Sequence, residues 1–88
     1  MDERALAEQL RKEGFRHTYV WQDDPNAHYP EHTHEKETAH IILSGEMTLS
    51  MAGSSQTLHT GERCDVPAGA AHSARMGAKN CRYLIGER

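Results

Sequence analysis

The sequence is short of most features that would place it in a familiar functional class. Its longest aliphatic run is Ile41-Ile42-Leu43, far too short to cross a bilayer as a helix, so no membrane partner is expected. The ten Lys and Arg are scattered among 13 Asp and Glu, for a net charge of −3. There is no basic stripe to track nucleic acid and no acidic tail to meet a basic partner. Two cysteines, Cys64 and Cys81, make no disulfide framework and read as small buried hydrophobes. The N-terminal residues Met1-Asp2-Glu3-Arg4-Ala5-Leu6 are charged and have no apolar core, so they read as no secretory signal, and a cytoplasmic location is expected. Apolar material is also scarce. Only 36% of the 88 residues are hydrophobic and 6% aromatic. A single domain this short buries a modest share of its surface, and it commonly gains stability by binding a metal or by dimerising. A homodimer is therefore expected.

What is present is punctuated at short intervals. Residues 2–13 read as a helix, with Asp2 as N-cap and a narrow stripe of Ala5, Leu6, Gln9 and Leu10, ended by Gly14. The thin stripe suggests weak docking on the outside of something else. Beyond Gly14 the period changes to two, and strands are expected over 15–22, 28–34, 38–43, 46–52, 56–59, 63–67, 71–76 and 81–85. Turn clusters separate them: Asp23-Asp24-Pro25-Asn26, Ser44-Gly45, Gly53-Ser54-Ser55, Pro67-Ala68-Gly69 and Gly77-Ala78-Lys79-Asn80. Strands do not alternate with helices, which argues against a parallel α/β sheet. The expectation is an all-β sandwich or small barrel with a short N-terminal helix, in one domain over 1–88 (helix 1–14, barrel 15–86).

Histidines carry the chemistry. His32 and His34 flank Thr33, so on an extended segment both side chains point to one face. His72 follows a Pro-x-Gly turn, far away in sequence. If the fold unites the three, three neutral imidazoles face one point, which is a metal site.

Taken in order, these residues resemble the cupin family, whose fold is a double-stranded β-helix or jelly-roll barrel. Its first motif runs Gly, five residues, His-x-His, three or four residues, Glu, six residues, Gly, and here His32, His34 and Gly45 match. Its second runs Gly, five residues, Pro-x-Gly, two residues, His, three residues, Asn, and here Gly61, Pro67, Gly69 and His72 match. The resemblance covers roughly residues 28–85. It implies that the Pro67–Gly69 reversal delivers His72 from the facing sheet to His32 and His34.

The departures matter. The acidic position of the first motif is Thr38, or Ala39 with the longer spacing. The opening Gly is Asn26 and the closing Asn is Met76. The family's three-His-one-Glu site is therefore absent as written. His40, two residues past Thr38 and about 7 Å along the strand, shares its face. It is either a fourth ligand, if the 35–38 loop bulges, or a pocket group that hydrogen-bonds substrate or water. Glu37 reads as a solvated carboxylate beside Lys36. His17 and His59 have no partner at ligand spacing, and His28, four residues before His32, could reach no further than the pocket mouth.

The candidate metal ligands are thus His32, His34, His72 and His40, for a divalent transition metal: Zn, Ni, Fe, Cu or Mn. The expected pocket walls are Tyr19, Trp21, Ile42, Met47, Leu49, Met51, Met76 and Tyr83. A three-His cupin site resembles that of the thiol dioxygenases, and a four-His site that of Mn- or Cu-loaded small cupins. The implied function is a metal-dependent reaction of dioxygenase or isomerase type on a small-molecule ligand. The other reading is a non-catalytic module that binds a metal or small molecule.

Overall fold

The computed structural model describes residues 2–88. Met1, included in the expected helical segment, lies outside them. The chain order is α1 (Glu3–Lys12), β1 (His17–Asp23), β2 (His28–His32), β3 (Thr38–Ser44), β4 (Met47–Met51), β5 (Ser54–Leu58), β6 (Arg63–Val66), β7 (His72–Met76) and β8 (Cys81–Glu87). All eight expected strands form, with ends that differ by a few residues. Four ends differ by two residues: β1 starts after Phe15, which is fully buried under the helix, β2 ends at His32, β5 starts at Ser54 so that Ser54-Ser55 are strand rather than turn, and β8 runs on to Glu87.

The strands make two four-stranded sheets, β1-β8-β3-β6 and β2-β7-β4-β5. Every pairing is antiparallel. Sequence neighbours repeatedly change sheet, giving a double-sheet jelly roll. Its interior is filled by Ile42, Met47, Leu49, Leu58, Val66, Met76, Cys81, Tyr83 and Ile85. Gly45 lets the chain turn from β3 into β4. Its φ is +79°, and a Cβ there would strike the Asn80 carbonyl, so only glycine fits.

Helix α1 covers the outer face of the first sheet. Asp2 caps it by accepting the Ala5 N–H at 3.2 Å, as expected. Its docking is firmer than the thin stripe suggested. Leu10 and Phe15 are fully buried with Ala39, Ile41 and Leu84. The approach is close because β8 presents Gly86, where a Cβ would lie 3.1 Å from both Leu10 and Phe15. Ion pairs reinforce the seam: Arg63 to Glu13 at 2.8 Å, and Arg82 to Glu3. The stripe is narrow because one leucine, one phenylalanine and one glycine make the contact, and the polar flanks supply the rest.

Candidate metal centre

Three imidazoles converge at one end of the second sheet. His32 closes β2, His34 follows it by two residues, and His72 opens β7. Their ligand-capable atoms all lie within 4.8 Å of one another. Ring centroids are 4.7 Å apart for His32 and His34, 4.3 Å for His32 and His72, and 4.8 Å for His34 and His72. His72 is the cross-strand partner of His32. The expectation that it arrives from the facing sheet is therefore corrected: the Pro67–Gly69 turn returns the chain to the neighbouring strand. That turn is pinned by the Gly69 N–H, which donates to the His34 carbonyl at 2.8 Å, tying the two histidine motifs by their backbones.

The rings are oriented as metal ligands are. His32 Nδ1 lies 2.7 Å from the Pro30 carbonyl, and His72 Nδ1 lies 2.9 Å from that of Ala70. A carbonyl only accepts, so each Nδ1 donates, and in the neutral ring Nε2 keeps the lone pair that a metal would take. His34 Nδ1 is buried with no partner. Burial depresses the His34 pKa, its two histidine neighbours depress it further, and Glu87 partly opposes them. An unpartnered buried nitrogen beside two imidazoles tethered by Nδ1 fits a divalent cation shared by the three rings.

His40 stands apart from this trio. It lies on β3, in the opposite sheet, paired in register with Ile85 and Cys64. It is 8% exposed, and its Nδ1 is buried without a partner. Burial, then the nearby His72 and His34, push its pKa down to about 4, so it is neutral at physiological pH. No bulge carries it to the trio: Thr38 to Ile41 pair with β6 without interruption. Both His40 and the trio border one cavity of about 310 Å³.

That cavity agrees in part with the expected walls. Tyr19, Trp21, Met47, Leu49 and Tyr83 line it. Ile42 and Met76 instead sit in the packed interior, and Met51 borders a separate depression with Ser54 and Ser55. Tyr29, Ala74 and Ile85 complete the lining. Simple alternation from His32 would turn Tyr29 outward. A register shift between Tyr29 and His32 breaks the parity and brings both into the cavity.

Asp23, expected in the turn cluster, instead ends β1 and organises the cavity wall. It is 8% exposed and accepts three hydrogen bonds: Trp21 Nε1 at 3.0 Å, Tyr29 Oη at 2.6 Å and Tyr83 Oη at 2.7 Å. It thereby fixes three aromatic walls of the cavity. Burial and the Asp23 charge both raise the Tyr83 and Tyr29 pKa values, so both phenols stay protonated. The signal was present, because Tyr19, Trp21 and Asp23 share one strand parity.

The remaining candidates fall outside the site. His17, His28 and His59 are exposed, and His59 sits between Glu46 at 3.5 Å and Glu62 at 3.1 Å. Glu37 pairs with Arg88 at 2.6 Å. Both cysteines are free, and burial raises both thiol pKa values, Cys81 to about 11. Neither is an activated nucleophile. Among the described residues no helix is long and apolar enough to cross a membrane.

Comparison with known proteins agrees with this architecture. No curated protein matches the chain. Among solved structures, the DMSP lyase DddQ from Ruegeria pomeroyi DSS-3 is 29% identical with a TM-score of 0.74, over 81% of this chain and 36% of that one. A cupin superfamily protein from Desulfitobacterium hafniense DCB-2 is 18% identical with a TM-score of 0.71, over 80% of this chain and 63% of that one. A protein of unknown function from Rhizobium leguminosarum bv. viciae 3841 is 18% identical with a TM-score of 0.75, over 80% of this chain and 66% of that one. The chain thus spans about a third of the length of the lyase and about two thirds of the other two. The profile of the cupin domain family matches residues 19–85. With that match, the jelly roll and the paired histidine motifs, the chain belongs to the cupin family.

Proposed function

We propose that this cupin holds one divalent transition-metal ion on His32, His34 and His72 and takes a small molecule into the adjoining cavity. The observation that carries this reading is the imidazole trio, two of whose rings are tethered by Nδ1 to backbone carbonyls. Zn, Ni, Fe, Cu and Mn all accept such donors. Three protein ligands leave coordination positions open, so the bound ion would supply a Lewis acid or an oxygen-binding centre. The chain's own residues would do the rest. Tyr19, Trp21 and Tyr83 shape the walls, Asp23 holds the aromatic rings in place, and neutral His40 faces the bound molecule from the opposite sheet.

We favour a metal-dependent reaction, of dioxygenase or isomerase type, on a small molecule. Elemental analysis should find a metal at near one ion per chain. His32→Ala and His72→Ala should each remove it, and unchanged stoichiometry in both variants would overturn the site. In His40→Ala, retained metal with altered ligand binding is the expected result, whereas loss of metal would make His40 a fourth ligand. The substrate panel should hold thiols, diketones and DMSP, the last because the lyase DddQ is among the similar structures.

One observation favours a non-catalytic binding module. No Asp, Glu, Lys or Arg lines the cavity among the described residues, so histidine and tyrosine are the only proton carriers there. Saturable binding of a panel member by the loaded protein, without turnover or oxygen uptake, would establish that reading. We also propose a homodimer in the cytoplasm. The free thiols suit a reducing compartment. The open edge of β1 and the half-exposed Trp21 suit a second copy. A monomeric mass by light scattering at high concentration would reject the dimer.

A further inference from the structure

The acidic position of the first histidine motif holds Thr38, which brings no charge to the site. Thr38 is 2% exposed, and its hydroxyl has no hydrogen-bond partner. A buried hydroxyl without a partner is costly and calls for an explanation. Directly across the ladder from Thr38 stands Glu87 on β8. The same ladder pairs His40 with Ile85 and Ile42 with Tyr83. Paired residues on antiparallel strands point to the same face. Ile85, Tyr83 and His40 all line the cavity, so Glu87 stands on the cavity side, at the end of the ladder occupied by Thr38.

Two further observations mark Glu87 as more than a surface acid. It is half-buried, and its hydrogen-bond partner is the hydroxyl of Tyr19, a cavity wall, at 3.2 Å. The strand end that carries it is not frayed. Glu37 and Arg88 exchange two backbone hydrogen bonds, at 2.9 and 3.0 Å, and the Arg88 guanidinium pairs with the Glu37 carboxylate. The segment leading into Thr38 is thereby tied to the residue after Glu87.

We propose that Glu87 is the carboxylate of this metal centre, presented by β8 across the ladder from the place where Thr38 supplies none. The proposal rests on the metal-binding reading above. The Glu87 oxygens lie outside the three-imidazole cluster, and their present partner is Tyr19. Recruiting Glu87 therefore exchanges a phenol hydrogen bond for an interaction with the ion. One carboxylate lowers the net charge of a divalent site from +2 to +1. It also adds a hard oxygen donor, which suits Mn(II) and Fe(II) better than imidazoles alone.

The test is calorimetric titration of the metal-free full chain with Mn(II). Glu87→Gln keeps the size and an acceptor for Tyr19 and removes only the charge. Its Mn(II) affinity should fall tenfold or more, with an unchanged circular dichroism spectrum. Adding Thr38→Glu to Glu87→Gln should restore binding to within a few-fold of wild type, because the two positions face each other. Tyr19→Phe should strengthen binding, since it frees the carboxylate. Wild-type affinity in Glu87→Gln overturns the proposal. If Glu87→Gln does not fold, Thr38→Glu alone decides. A gain of tenfold or more means that the carboxylate was missing and overturns the proposal, whereas a gain of threefold or less supports it. Failure of the underlying reading looks different, because wild type and His72→Ala would then both bind no metal.

Discussion

The two faces of the first sheet are built from the same strands and follow opposite rules. On the outer face, Ala39, Ile41 and Leu84 meet Leu10 and Phe15 in an apolar cluster, with the Arg63 and Arg88 guanidinium groups stacked over the Phe15 ring at its rim. On the inner face, Thr38 and His40 alternate with those residues and hold buried side-chain atoms without a partner, and Glu87 ends the same ladder beside the Tyr19 hydroxyl. The outer face is optimised for burial, at roughly 25 cal/mol for each Å² removed from water. The inner face gives up some of that gain to hold groups that only a ligand would satisfy. Strand parity separates the two faces, so β3 packs the helix with its odd positions, while its even ones begin with Thr38 and His40 on the site side and lead on to Ile42 in the packed interior.

Variants on either face should therefore have separable effects. The largest loss of stability is expected from Phe15→Ala, about 3–5 kcal/mol, which is much of the total for a domain this small. Denaturant unfolding measures it, and metal binding by whatever remains folded should be normal. A metal affinity that fell in step would mean that the two faces are not independent.

Next in size is an acid effect on the inner face. The His40 pKa lies at about 4, below its ordinary 6.5. The folded state thus binds fewer protons than the unfolded state between those values. Stability is fully present above about pH 6.5, falls as pH drops, and is lost near pH 4. About 3 kcal/mol is at stake for a shift of this size. His40→Gln should flatten that slope in the metal-free protein. An unchanged slope would assign the acid sensitivity elsewhere.

A third comparison concerns ligand against packing. His72→Ala should abolish metal binding and lower the melting temperature of the metal-free chain by less than Phe15→Ala does. A drop as large as that of Phe15→Ala would show that His72 serves the fold as well as the site. Asp23→Asn should change small-molecule binding more than metal binding, because it loosens Trp21, Tyr29 and Tyr83 and leaves the imidazoles alone. A smaller shift is expected for Arg63→Ala, which breaks half-buried pairs with Glu13 and Asp65. Salt screens such pairs only in part, so raising the ionic strength should narrow the difference without erasing it.

Much of this was legible in the residues, for identifiable reasons. Asp2 and Gly14 bracket α1 because capping chemistry is local. The strands follow from period-two patterning and turn residues, which act within a few positions. His32, His34 and His72 emerged as a set because motif spacing constrains them. Three things were not legible. The parity of β2 breaks at the shift between Tyr29 and His32, so alternation could not place Tyr29 in the cavity. His72 was expected from the facing sheet because spacing says nothing about which strands are neighbours. Ile42 and Met76 were expected as cavity walls because parity separates inside from outside but not lining from filling.

The sequence by itself determined the strand-rich class, the capped helix, the glycine turns and the imidazoles that could meet, since each depends on residues close together or on a fixed spacing. Only the tertiary structure decided which side chains share a point: His72 beside His32, His40 across the barrel, Asp23 under three aromatic donors, and Glu87 opposite Thr38. Those neighbours are set by strand order and register, which arise from closing two sheets over one core. A carboxylate 49 positions from Thr38 becomes its partner by register alone.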